Sequence, residues 1–240
     1  MPARTKEIKR SKNMVIIDEE TLDKAKVYQK LFWEVLKIFF FAAAFGYVEG
    51  SVAHYLRMHF FPQGFGPDLN SMRHENTLIV ELGREAATMV MLFCVAAMTK
   101  GPFLRRFSVF VFAFAVWDLL YYVSLYAFEK WPASLMDWDV LFLIPAPWFA
   151  PVLAPVAISL LGIAGSLFAL WIFARDGEFT AGAWPILLLI AGLLTYLSTF
   201  FHGIHIMRFP THYHWDIFIA GTVLVAASYA ILAAKNLRRV

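Results

Sequence analysis

Six long apolar runs, separated by short polar breaks, occupy most of the 240-residue chain. They fall at roughly 36–58, 76–98, 107–128, 149–173, 184–206 and 215–234. Each is near the ~20 residues that cross a ~30 Å hydrocarbon core as a helix. The pattern predicts an all-α fold, a polytopic transmembrane bundle of six spans over 33–240, with a basic tail over 1–32. In the tail, the stretch from Glu19 to Lys30 has the composition of a surface helix leading into the membrane. The first 13 residues are polar or charged and the apolar run Met14 to Ile17 is too short for an h-region, so no cleavable signal peptide is expected.

Two breaks differ from the rest. FPQGFGPDLNSM, residues 61–72, is a Pro/Gly turn region. Between the third and fourth spans, Pro145, Pro147, Pro151 and Pro155 each remove a backbone donor. Irregular backbone at membrane depth needs protein or a watery cavity beside it. Val140–Ala146 therefore reads as a segment dipping into the outer leaflet, with span four starting near Pro147. The alternative is a kinked helix entrance anchored by Trp131, Trp138 and Trp148.

Composition supports the membrane class: 60% hydrophobic and 16% charged residues, against about 45–50% and 25% in soluble domains. The net charge of +3 reflects one basic side of the membrane and gives no support to a nucleic-acid role. Lys and Arg set the orientation. With the N-terminus inside, 15 cations face the cytoplasm and only Arg57, Arg73, Lys130 and Arg208 face outward, while Lys37 and Arg84 fall within spans. Both termini are expected in the cytoplasm, in a multi-pass protein of a bacterial inner membrane. Cys94, the single cysteine, excludes an intrachain disulfide. Soluble-type ATPase, Rossmann and zincin motifs are absent.

Against this apolar background the ionisable residues carry the information. A charge at the centre of a bilayer costs at least ~2.5–3.5 kcal/mol on insertion scales, so such residues are functional candidates. At ~1.5 Å per residue, Glu49, Glu85 and Asp118 all lie about 14–15 Å from the outer ends of their spans. These three are the expected catalytic or proton-carrying residues. Nearer the outer surface are His54, Glu81, His202 and His205, a tentative metal-ligand set, with His212, His214 and Asp216 in the turn THYHWD. Arg84, between Glu81 and Glu85, would partly neutralise them; Tyr121 and Tyr122 lie one turn from Asp118 and can donate to it; Asp139 is expected near the mouth. Carboxylates and imidazoles projecting from facing helices form metal sites, so iron, copper, manganese, zinc or haem is a candidate cofactor. In the alternative, the acids pair with Arg84, tyrosines or backbone and simply lock helices together.

The stretches VEGSVAHYL, REAAT, VWDLLYY and WDVLFLIPAPWFAPVLAP resemble those of uncharacterised bacterial polytopic integral membrane proteins, a group that implies no activity. Ser51, His54, Asp118, His202 and His205 also resemble the zinc site of the alkaline ceramidase and adiponectin-receptor hydrolases, which implies a zinc held by a histidine, an aspartate and two late histidines. Here the spacings are S-x-x-H and H-x-x-H, and six spans stand in place of seven. The leading expectation is a membrane protein with a buried carboxylate/histidine site opening to the non-cytoplasmic side, metal-binding, with a metal-dependent membrane enzyme or redox subunit as the form such a site would take. The alternatives are a proton- or ion-coupled transporter and an accessory subunit among other membrane subunits.

Single cysteines introduced after replacing Cys94 should be labelled from the cytoplasmic side in 1–32, 100–106, 175–180 and 235–240. Labelling of 61–72 from that side alone would reverse the orientation.

Overall fold

The computed structural model describes residues 19–62, 77–201 and 209–238. The first part of the tail, most of the 61–72 turn region, and both His202 and His205 lie outside the described residues. Within them the chain forms six helices and a β-hairpin: α1 (Glu19–Phe60), α2 (Thr77–Ala97), α3 (Phe103–Glu129), β1 (Trp138–Phe142), β2 (Trp148–Pro151), α4 (Leu153–Asp176), α5 (Ala183–Phe200) and α6 (Trp215–Leu237).

Five of these helices, α1 and α3 to α6, are long and apolar enough to cross a membrane. The remaining one, α2, has 21 residues but carries Glu81, Arg84 and Glu85 within them. Helix exteriors bear large apolar side chains, among them Phe40, Ile79, Val80, Phe93, Trp184 and Leu194. This is the surface of a multi-pass protein in a lipid bilayer.

The expected surface helix over Glu19–Lys30 is continuous with the first span. α1 has 42 residues, no proline, and no glycine before Gly46, so nothing breaks the helical ladder. At ~1.5 Å per residue it is about 63 Å long, roughly twice a hydrocarbon core.

The segment before α4 departs from the all-α expectation. β1 and β2 pair antiparallel, with Asp139 opposite Ala150 and Val140 opposite Phe149, and a bulge between Val140 and Phe142. Trp, Val and Phe favour extended backbone, while Pro145 and Pro147 prevent a helix from forming across the turn. The fourth helix consequently starts at Leu153 rather than near Pro147. Pro155, its third residue, occupies the first turn, where a missing N–H costs no intrahelical bond.

α1 packs along α3, α3 against α4, and α5 along α6. The Glu34–Arg105 ion pair joins the early parts of α1 and α3, while Arg175 donates to the Asn236 carbonyl at 2.7 Å, joining the ends of α4 and α6. The fully buried Asn236 side chain also bonds both backbone groups of Thr180 at 2.9 and 3.0 Å, tying α6 to the turn before α5. A groove lined by residues of α1, of the α2–α3 turn and of the end of α4 lies at this same end. Besides Lys30, Lys100 and Arg105 of the groove, this end of the bundle carries Arg106, Arg175, Lys235 and Arg238 and is called here the basic end.

Close approach of α1 to α3 depends on a G-x-x-x-G pair. A Cβ at Gly46 would lie 2.7 Å from the Trp117 carbonyl and 2.9 Å from Leu120 Cβ, and one at Gly50 would lie 2.7 Å from Ser124 Cβ. Small residues let helices pack without a hydrophobic driving force between them. Toward the basic end, Ile38, Ala42, Leu92, Val109, Phe112 and Val116 form an apolar layer capped by Trp117. A second apolar cluster joins α5, α6 and the hairpin.

Gly46→Leu should force α1 from α3 and cost about 1–3 kcal/mol, the range for overpacking, read as a lower thermal midpoint in detergent. Gly83→Ala, whose added Cβ meets nothing within 4 Å, should leave the midpoint unchanged or higher.

Candidate functional site

Helical periodicity places polar residues of three helices on one cavity. Glu49, Ala53, Leu56 and Arg57 come from α1; Glu81, Arg84, Glu85 and Thr88 from α2; Trp117, Asp118, Tyr121 and Tyr122 from α3. The steps of three and four keep each set on one face. Residues 139–143 of the hairpin form the remaining wall, and the cavity volume is about 120 Å³. That is room for several waters, each needing only a few polar neighbours. The site occupies the half of the bundle away from the basic end.

Two arginines organise the acids. Arg84 is ion-paired with Glu49 and Glu81, its Nε donating to Glu81 Oε2 at 2.9 Å. Thr88 Oγ1 donates to Glu49 Oε1 at 2.8 Å. This links α1 to α2 through a charge pair in which Glu49 is buried and Arg84 half-buried. On the opposite side, Arg57 donates to Glu129 Oε1 at 2.7 Å and Asp139 Oδ1 at 3.1 Å, with its guanidinium 3.7 Å from the centre of the Trp131 ring. Tyr122 donates to Asp139 Oδ2 at 3.1 Å. In the hairpin, burial pushes the Asp139 carboxyl above the usual carboxylate range; Arg57, the Val140 amide and Tyr122 draw it back.

Glu85 and Asp118 are different. Among the described residues, neither forms an ion pair. The Leu143 amide donates to both oxygens of Glu85, at 3.1 and 2.9 Å, so this carboxyl satisfies irregular backbone of the hairpin. Asp118 accepts from Ser159 Oγ on α4 at 2.9 Å. Trp117, boxed by Phe45, Phe114 and Phe142, lines the same cavity, and its buried Nε1 has no hydrogen-bond partner among the described residues. A buried donor without a partner costs about 1–3 kcal/mol, which a water or ligand in the cavity would recover.

The structure thus brings Glu49, Glu81, Arg84, Glu85, Asp118, Tyr121, Tyr122 and Asp139 onto one cavity. It alters several expected pairings. Tyr122 bonds Asp139 instead of Asp118, because the hairpin inserts its own acid beside α3. Asp139 is fully buried in the wall, no longer at a mouth. Arg57, expected on the outer surface, is buried; its place eight residues after Glu49, two turns on the same face, is the signal that would have found it. Glu129 and Ser159 had no such signal, since each is marked only by its partner.

The histidine and metal expectations are not supported. His54 Nδ1 lies 3.0 Å from Glu129 Oε2, and Glu81 is held by Arg84, so these two candidate ligands are engaged with different partners. Ser51 donates to the Tyr47 carbonyl of its own helix at 2.8 Å. Among the described residues no group of three His, Cys, Asp or Glu is placed to hold a metal ion.

Arg57→Met leaves Glu129 and Asp139 without their shared cation. Breaking a buried pair costs about 3–5 kcal/mol, and a loss of that order is expected in chemical denaturation in detergent. Adding Asp139→Asn should recover part of it, so that the double variant is less destabilised than the sum of the two single ones.

No family model matches the chain, and no curated protein or solved structure matches it, so the assignment of the site rests on its own chemistry.

Proposed function

We propose that the protein is an ion-coupled membrane protein, a carrier in which Glu85 and Asp118 take up and release a proton or a hard cation from the non-cytoplasmic side. In this reading all six helices cross a bacterial inner membrane and both termini are cytoplasmic. The observation that carries it is the pairing of charges around the cavity. Arg84 and Arg57 each already sit between two carboxylates, whereas Glu85 and Asp118 line the same space, form no ion pair among the described residues and accept hydrogen bonds from neutral donors, with Arg84 acting on Glu85 only at longer range. Two such carboxylates in a low-dielectric site need a bound proton or a bound cation to be tolerated.

The division of roles follows from those partners. Glu49 and Glu81 position Arg84, and Asp139 with Glu129 positions Arg57, so these acids hold the walls. Glu85 and Asp118 are the exchanging groups. The donors are carboxylate and phenol oxygens, which suit hard cations such as Na⁺, Mg²⁺, Ca²⁺ or Mn²⁺ over copper or haem iron. The apolar layer beneath Trp117 closes the cavity toward the basic end, as an outward-facing carrier requires.

Reconstituted in liposomes under an imposed pH or cation gradient, the protein should move protons or cations, read by a pH-sensitive dye or by isotope uptake. Glu85→Gln and Asp118→Asn keep hydrogen bonding and remove charge; each should lower flux at least about tenfold, equivalent to about 1.4 kcal/mol. Wild-type flux in both variants, or no flux in the wild type under any gradient, would refute the reading.

A further inference from the structure

At the basic end, away from the cavity just described, lies a second concave feature. It is a groove of about 540 Å³ bounded by Val27, Lys30, Leu31 and Glu34 of α1, by Met98 to Pro102 between α2 and α3, and by Phe173, Ala174 and Gly177 at the end of α4. Arg105 also lines it, but its guanidinium is already used: it bonds both oxygens of Glu34, at 3.0 and 2.7 Å, and the Lys100 carbonyl at 2.6 Å. That leaves Lys30 and Lys100, both exposed, as the cations presented to whatever enters. With Arg105 and Glu34 cancelling, the groove carries two net positive charges.

The walls beneath these ammonium groups are apolar: Val27, Leu31, Met98 and Phe173. The apolar surface continues outward, since Met98 is 84% exposed and the neighbouring Phe103 is 76% exposed. A groove that offers two cations at the rim of a helix bundle and leads onto exposed apolar side chains is complementary to an anionic amphiphile. A soluble phosphate would use the cations and leave the apolar continuation bare. A neutral lipid would use the apolar surface and leave the two charges uncompensated.

We infer that this groove is a binding site for an anionic phospholipid, with its phosphate between Lys30 and Lys100 and its acyl chains running along Met98 and Phe103. Basic pockets between helices on the cytoplasmic side of membrane proteins recognise such headgroups. The site would hold the first helix, the α2–α3 turn and the end of α4 together at the membrane surface. It is independent of the proposed transport role.

The test uses the full-length protein in detergent micelles, with phosphatidylglycerol and phosphatidylcholine of identical chains as probes. Native mass spectrometry should show phosphatidylglycerol retained at least about tenfold better than phosphatidylcholine, and phosphatidylglycerol alone should raise the thermal midpoint. Lys30→Gln with Lys100→Gln should remove both effects, a loss of at least about fivefold per charge on the scale of lysine–lipid attraction. Lys30→Arg with Lys100→Arg should keep them. Arg106→Gln changes an exposed cation at the same end that does not line the groove, and should also keep them. Equal retention of the two lipids, an equal loss in Arg106→Gln, or full displacement of the lipid by inorganic phosphate would each overturn the proposal.

Discussion

The cost of placing charge in hydrocarbon governs the polar half of this bundle. Two guanidinium groups meet that cost. Arg84 bridges Glu49 and Glu81, and Arg57 bridges Glu129 and Asp139. Each bridge crosses between elements: α1 to α2 in the first case, α1 to α3 and the hairpin in the second. Removing one partner would strand the others, so these ion pairs fix where α2 and the hairpin sit as firmly as apolar packing does. Because α2 holds three charged residues within one turn and a half, its placement depends on this compensation.

The hairpin raises the same problem for backbone. Its buried amides and carbonyls need partners, and Pro145, Pro147 and Pro151 reduce the number of donors available for pairing. The two-stranded ladder satisfies part of the requirement, and Glu85 completes it by accepting from the Leu143 amide. One carboxyl therefore both supports the hairpin and faces the cavity that the hairpin closes. Fold and site share it, so substitution of Glu85 is best made with its amide, which retains hydrogen bonding.

Beneath the cavity the chemistry changes abruptly. Gly46 and Gly50 bring α1 onto α3 at the level of Trp117 and Ser124, and an apolar layer of buried side chains lies between that level and the basic end. The bundle is thus polarised along its axis: acids and arginines in one half, apolar packing across the middle, and lysine-rich surface at the other end. The cavity and the groove therefore lie in opposite halves of the bundle and differ in chemistry for that reason.

Periodicity and composition were enough to reveal the membrane class and the helices, and to single out Glu49, Glu85 and Asp118, which the structure places around one cavity, because hydrocarbon leaves few places for a charge and a helix puts residues three or four apart on one face. Residue number does not determine partners. Asp118 bonds Ser159, 41 positions away, and Arg57 bonds Asp139, 82 positions away, and nothing local to either residue specifies such a pair. The hairpin was hidden for a related reason: a short apolar run rich in proline is compatible with several backbones until the groups around it are known. The sequence by itself determined which residues must avoid lipid. Only the tertiary structure decided which acids are ion-paired with arginine and which two, Glu85 and Asp118, accept from neutral donors instead, since that depends on long-range packing of α1, α2, α3 and the hairpin around a common space.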